Sequence, residues 1–227
     1  MVKTSRRIDS RKILKLLKSG QEKDKLKALK ILSEIDAKKF SRISGKLIYE
    51  LIGLLGEETS TNIFCWVAMI FGNASKYIPE KYIPTIAYFL IKKLDSPDPY
   101  IKTTAVWALG EICERSSSTI ILSSLGKMIN LLHDENTFVR NFATDTIIKI
   151  FDHLPPYATE ILLHSILKNL DSESQTLKLS TLYLLWKIVV NHPNIGNIVI
   201  PRLAKTMNDP STEIRKLSAW ILAEILK

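Results

Sequence analysis

The sequence predicts an all-α fold built of six successive helix pairs, and three observations carry that reading. The first is a period of about 38 residues. A small or β-branched residue recurs at Ala28, Val67, Ala105, Ala143, Thr181 and Ser218. Internal similarity at a fixed period of this length is the mark of a repeat architecture. The second is the spacing inside each unit. Four positions on stand Leu32, Phe71, Leu109, Ile147, Leu185 and Leu222, and three further on Ile35, Ala74, Ile112, Ile150, Ile188 and Ile225. Offsets of 4 and 3 share one face of a 3.6-residue helix. The third is that no alternating apolar/polar run of strand type interrupts the series.

Taken in order, each unit has a first apolar segment and then the columned helix. The first segments are 13–17, 47–55, 86–94, 120–132, 161–170 and 198–207. Turns of suitable chemistry join the two, as in Asp95-Ser96-Pro97-Asp98-Pro99 and Asn208-Asp209-Pro210-Ser211. Asp, Ser and Asn cap helix starts, and proline fits the first helical turn. The expected units are approximately 9–37, 38–76, 77–115, 116–153, 154–191 and 192–227, forming one elongated domain over 1–227. Each repeat touches only its neighbours in such an array, so the core is a strip with two long faces.

The residues resemble HEAT repeats, of the armadillo-like class. The resemblance is clearest from Pro84 through Asp95 to Ile112 and from Pro201 through Asp209 to Leu222. Its marks are a proline in the first helix, an Asp in the turn (Asp95, Asp134, Asp171, Asp209) and a base opening the second helix (Lys102, Arg140, Lys178, Arg215). The resemblance implies a right-handed α-solenoid of about six HEAT-like helix pairs, in which those Asp and basic residues tie turns to neighbouring repeats. The first two units lack the full pattern at Gln21–Asp24 and Gly56–Thr59.

Enzyme signatures are missing from the sequence: there is no glycine-rich phosphate loop, no His-Glu-x-x-His, no Cys-x-x-Cys and no Gly-x-Ser-x-Gly. The expectation is a non-enzymatic scaffold with no cofactor and no metal. The longest apolar run, Ile63 to Phe71, is of core length and too short to cross a membrane. Cys65 and Cys113 read as buried thiols in a reducing compartment, which gives a cytoplasmic expectation.

Two surfaces stand out. On the second helices, the column two residues after the small one holds Lys30, Met69, Trp107, Asp145, Tyr183 and Trp220, with Trp186 one turn from Tyr183. This column is out of phase with the buried stripe. Met69, Trp107, Asp145, Tyr183, Trp186 and Trp220 are therefore the candidate protein-binding groove, the aromatic rings serving as rigid anchors. The alternative for each ring is sideways packing between adjacent second helices.

The second surface is electrostatic. The net charge of +9 is not spread evenly: residues 1–46 hold fifteen Lys/Arg against five acids, and the remainder is near neutral. Arg6, Arg7, Arg11, Lys15, Lys18, Lys23, Lys27 and Lys30 form the candidate basic patch. Nucleic acid, an anionic surface or an acidic protein segment would be drawn to it. A polar cap on the first repeat accounts for part of this charge. An alternative reading joins the two surfaces: some alkylpurine DNA glycosylases have HEAT-like repeats, and Trp107, Glu111, Lys149 and Trp186 are of similar type to the groove residues of that family. The local sequence does not match, and the groove beyond the first repeat lacks positive charge. At the other end, Ile214, Leu217, Trp220, Ile221, Leu222, Ile225 and Leu226 are as apolar as interior helices, which raises pairing of two chains through that end as a further expectation.

Overall fold

The computed structural model describes residues 9–56, 58–113 and 115–226. Among these there are twelve α-helices, five short 3-10 turns and no strand. The helices pair as the period requires, and they gather into two compact units, Met1–Ser116 and Ser117–Lys227.

The first unit holds α1 (Ser10–Leu17), α2 (Glu22–Ser33), α3 (Gly45–Gly56), α4 (Thr61–Asn73), α5 (Ile83–Lys93) and α6 (Pro99–Cys113). Helix α1 packs on α2 and α3, α2 on α4, α3 on α5, and α4 on α6. First helices thus form one layer and second helices the other. The second unit repeats the plan with α7 (Ser118–Leu131), α8 (Thr137–Phe151), α9 (Pro156–Lys168), α10 (Gln175–Asn191), α11 (Gly196–Thr206) and α12 (Thr212–Ile225). There α7 meets α9 and α9 meets α11 in the first layer, while α8 meets α10 and α10 meets α12 in the second.

The small-residue column explains this close layering. Ala28, Val67, Ala105, Ala143, Thr181 and Ser218 are all fully buried. A small side chain there lets a second helix approach its neighbours, and the bulky residue four positions on fills the space beside it. Leu32, Phe71, Leu109, Ile147 and Leu185 are buried accordingly, and Leu222 is half-buried. Dense packing of this kind makes each position sensitive to volume.

Local chemistry sets the helix starts. Ser60 and Ser174 accept from the backbone N–H three residues on, and Asn136 accepts from those of Phe138 and Val139. These bonds satisfy helix-start donors that have no partner within the helix. Asp98 caps α6 in the same way, accepting from the backbone N–H of Tyr100, while the turn carboxylates Asp134 and Asp209 act one step earlier, accepting from those of Asn136 and Ser211.

Side chains at these starts also bridge repeats. The Thr61 hydroxyl donates to Asp98 at 2.6 Å, Ser60 donates to Glu22, and Gln175 donates to Ser211 at 3.0 Å. Lys178 donates to Asp209 at 2.6 Å. Not every base of the repeat pattern reaches across. Arg140 folds back onto the carbonyls of Asp134 and Glu135, and Arg215 onto those of Asp209 and Pro210, so these two guanidinium groups close their own turns. Cys65 departs from the buried-thiol expectation: it is half-buried, receives a hydrogen bond from Thr104 at 3.3 Å, and burial pushes its thiol pKa up. Cys113 is buried.

Candidate functional surface

Helix α10 and helix α12 bring three aromatic side chains of the second unit into one row. Tyr183 and Trp186, three residues apart on α10, have ring centroids 5.5 Å apart, and Trp186 lies 4.9 Å from Trp220 of α12. Tyr183 is 41% exposed and Trp220 45%, whereas Trp186 between them is half-buried. The row is therefore supported from beneath and open above.

A charged pair borders it. Lys187 of α10 bonds Asp145 of α8 at 3.1 Å, and its ammonium also sits 5.0 Å from the centre of the Tyr183 ring. Burial alone would lower the Lys187 pKa, but its interactions with Asp145 and Tyr183 outweigh that and hold it above the ordinary lysine value. The cation is thus fixed over the ring face, the arrangement that ring quadrupoles favour.

In the first unit the same column behaves differently. Met69 is exposed on α4. Trp107 on α6 is half-buried and lies against Gly72 of α4, where a β-carbon would come within 2.5 Å of the indole. Its ring takes up the sideways packing between second helices. Of the other residues considered for base excision, Glu111 is half-buried on α6 and Lys149 is exposed on α8. Among the described residues there is no group of three or more His, Cys, Asp or Glu that could hold a metal ion, and no helix is long and apolar enough to cross a membrane.

The basic patch lies on the first helix pair. Arg6 and Arg7 fall outside the described residues. Arg11, Lys15, Lys18, Lys23, Lys27 and Lys30 are all exposed. On α1, Arg11, Lys15 and Lys18 oppose the buried Ile13 and Leu17, and on α2, Lys23, Lys27 and Lys30 oppose Ala28, Leu29 and Leu32. Lys18 lies 3.8 Å from Glu50.

A feature that reasoning from repeats alone did not reach is a cavity on the first-helix side of the second unit, about 390 Å³, lined among others by Phe151, Asp152, Glu160, His192 and Ile195. His192 Nε2 is 2.7 Å from Asp152, and its ring is 4.9 Å from that of Phe151. His192 stands 40 residues after Asp152, one repeat on with a small offset, so the period was the available signal.

Comparison with known proteins agrees with this architecture. Residues 67–112 match a family model described as a HEAT-like repeat. Among solved structures, an engineered protein aligns with a TM-score of 0.63 at 20% identity over 97% of each chain. A second engineered protein gives 0.65 at 16% identity, covering 96% of this chain and 99% of that one. A designed armadillo repeat protein, solved in complex with the peptide (KR)4, gives 0.60 at 18% identity over 96% of this chain and 100% of that one. No curated protein matches the sequence. The chain thus has the fold of helical-repeat proteins of the HEAT and armadillo kind, and a HEAT-like repeat is matched over residues 67–112.

Proposed function

We propose that this chain is a non-enzymatic scaffold that holds a segment of a protein partner against its second helices, with Tyr183, Trp186 and Trp220 as anchors. The observation that carries the reading is the aromatic row itself. Two of its three rings are more than a third exposed on rigid helices, backed by a third ring and bordered by the Lys187–Asp145 pair. Rigid aromatic side chains bury large area at small entropy cost, which is why they dominate interface energetics. The helical framework suits the task, since sites on packed helices hold their geometry better than sites on loops. The likeness to a designed armadillo repeat protein that carries a peptide supports the same use of the fold.

The partner segment is expected to present apolar or aromatic side chains to the row and a polar group to Lys187 or Asp145. A displayed library of random peptides, selected on the whole protein, tests this. Selected peptides should lose at least tenfold in affinity for Trp220→Ala and for Tyr183→Ala, with helical content unchanged by circular dichroism. Peptides that bind both variants as tightly as the original chain would overturn the reading.

A further inference from the structure

We propose that the first helix pair is a second, independent binding surface, and that its ligand is the phosphate backbone of double-stranded nucleic acid. The basis is a cluster of cations that the fold does not use. Several cations elsewhere are built into the fold: Lys178 is bonded to Asp209, Lys187 to Asp145, Arg202 and Lys205 to Asp171, and Arg115 to the carbonyls of Ser75 and Ile78. On α1 and α2, the side chains of Arg11, Lys12, Lys15, Lys23, Lys27 and Lys30 are engaged in no ion pair or hydrogen bond among the described residues. They hold nothing in the fold, so their charge is directed outward.

The arrangement is ordered. Lys23, Lys27 and Lys30 follow one another at spacings of four and three, and stand on the face of α2 opposite its buried residues. Seven residues of helix span about 10 Å. Duplex DNA carries a negative charge for about every 1.7 Å of its axis, so that length of duplex offers about six phosphates to three ammonium groups.

The chemistry of the side chains selects among anionic partners. Neither α1 nor α2 contains an aromatic residue. Helices that lie in a membrane surface set Trp, Phe or Leu beside their basic residues, and proteins that grip single strands stack bases on aromatic rings. No aromatic ring is present on these faces, and of the large aliphatic residues on the two helices only Ile31 is exposed. Lysine outnumbers arginine here, and a lysine is a point charge on a flexible stem rather than a planar fork that fixes one geometry. Binding of this kind follows the backbone and ignores base sequence.

The test uses a labelled duplex of random sequence and about 20 base pairs, titrated by fluorescence anisotropy from low to moderate salt. The variant Lys23→Gln/Lys27→Gln/Lys30→Gln is set against Lys76→Gln/Lys168→Gln/Lys216→Gln, which removes the same charge from exposed positions elsewhere. The expected result is binding to the duplex at low salt whose logarithm falls linearly with the logarithm of salt concentration. The first variant should lose tenfold or more in affinity, and its salt slope should shrink by about 2 to 3. The second should lose less than threefold. No binding to duplex at low salt, or equal losses in the two variants, would overturn the proposal. So would tighter binding to vesicles containing phosphatidylserine, or to poly-glutamate, than to the duplex. Failure here leaves the aromatic row untouched, because peptide selection on Trp220 is read out separately.

Discussion

The Trp107 indole of α6 lies directly on Gly72 of α4, so close that a β-carbon at that glycine would meet ring atoms at 2.5 and 2.7 Å. In repeat terms, Trp107 is two positions after its small residue and Gly72 five positions after the preceding one. The same two places in the last two repeats are Trp220 and Trp186, whose rings touch at 4.9 Å. Glycine lets one indole descend into the helix layer. Tryptophan fills the equivalent space and keeps the other indole near the surface.

Gly72→Ala should therefore destabilise the first unit, since two atoms cannot share that space and the surrounding layer is closely packed. The expected cost is about 1–3 kcal/mol, the usual range for overpacking a core. Thermal and urea unfolding should show it, and Gly72→Ala combined with Trp107→Leu should recover part of the loss. Equal stability of Gly72→Ala and the original chain would contradict the contact.

Much of the fold was legible in the sequence because a single column controls it. All six small residues identified by period are fully buried, which is the expected result when side chains at i, i+4 and i+7 face one core. The surface was legible only in part. Column position placed Trp107, Tyr183 and Trp220 together, but exposure is decided by the residue opposite on the preceding helix. That residue is Gly72 in one case and Trp186 in another, and reading the columns in pairs would have separated them. The Lys187–Asp145 bond was hidden for a different reason: its partners are 42 residues apart, four more than the repeat period, and long side chains can close such an offset.

Acid should expose the tie between repeats. Hydrogen bonding from Lys178 holds the Asp209 carboxyl below the usual carboxylate range, and bonds from Arg202 and Lys205 do the same for Asp171. A carboxyl with a lowered folded pKa stabilises the fold fully above its unfolded value, about 4, and that contribution is lost as pH falls through the folded value. Melting midpoints measured from pH 7 to pH 3 should fall below about pH 4. Asp209→Asn should start lower by about 4 °C at pH 7, a shift of about 1 kcal/mol for a unit of this size. The two curves should converge in acid. Parallel curves would mean that Asp209 does not titrate against Lys178.

The buried column also holds two hydroxyls with opposite circumstances. Ser218 accepts from Thr206 at 2.6 Å and donates to the Ile214 carbonyl at 2.8 Å, while the fully buried Thr181 hydroxyl has no hydrogen-bond partner. An unpaired buried polar group costs about 1–3 kcal/mol. Thr181→Val, similar in shape, should stabilise the second unit by about 1 kcal/mol, and Ser218→Ala should destabilise it by a similar amount. Chemical denaturation of each single variant checks both signs.

The pair beside the aromatic row should prove weak in the free protein. Lys187 and Asp145 are 32% and 59% exposed at the side chain, in contrast to 15% and 8% for Lys178 and Asp209. Exposed pairs contribute about 0.2–1 kcal/mol and are screened by salt. The ring of Tyr183 adds to the hold on Lys187, but water competes for the same cation. A double-mutant cycle with Asp145→Ala and Lys187→Met should give a coupling of about 0.5 kcal/mol, falling as salt is raised. That weakness has a functional side. A bond this inexpensive to open can exchange its partner for a carboxylate or a cation on a bound peptide. Asp145→Ala should then alter which peptides are selected while hardly moving the melting temperature. A coupling above about 2 kcal/mol, insensitive to salt, would make the pair a structural tie instead, and peptide preference should then be unchanged in any Asp145 variant that still folds.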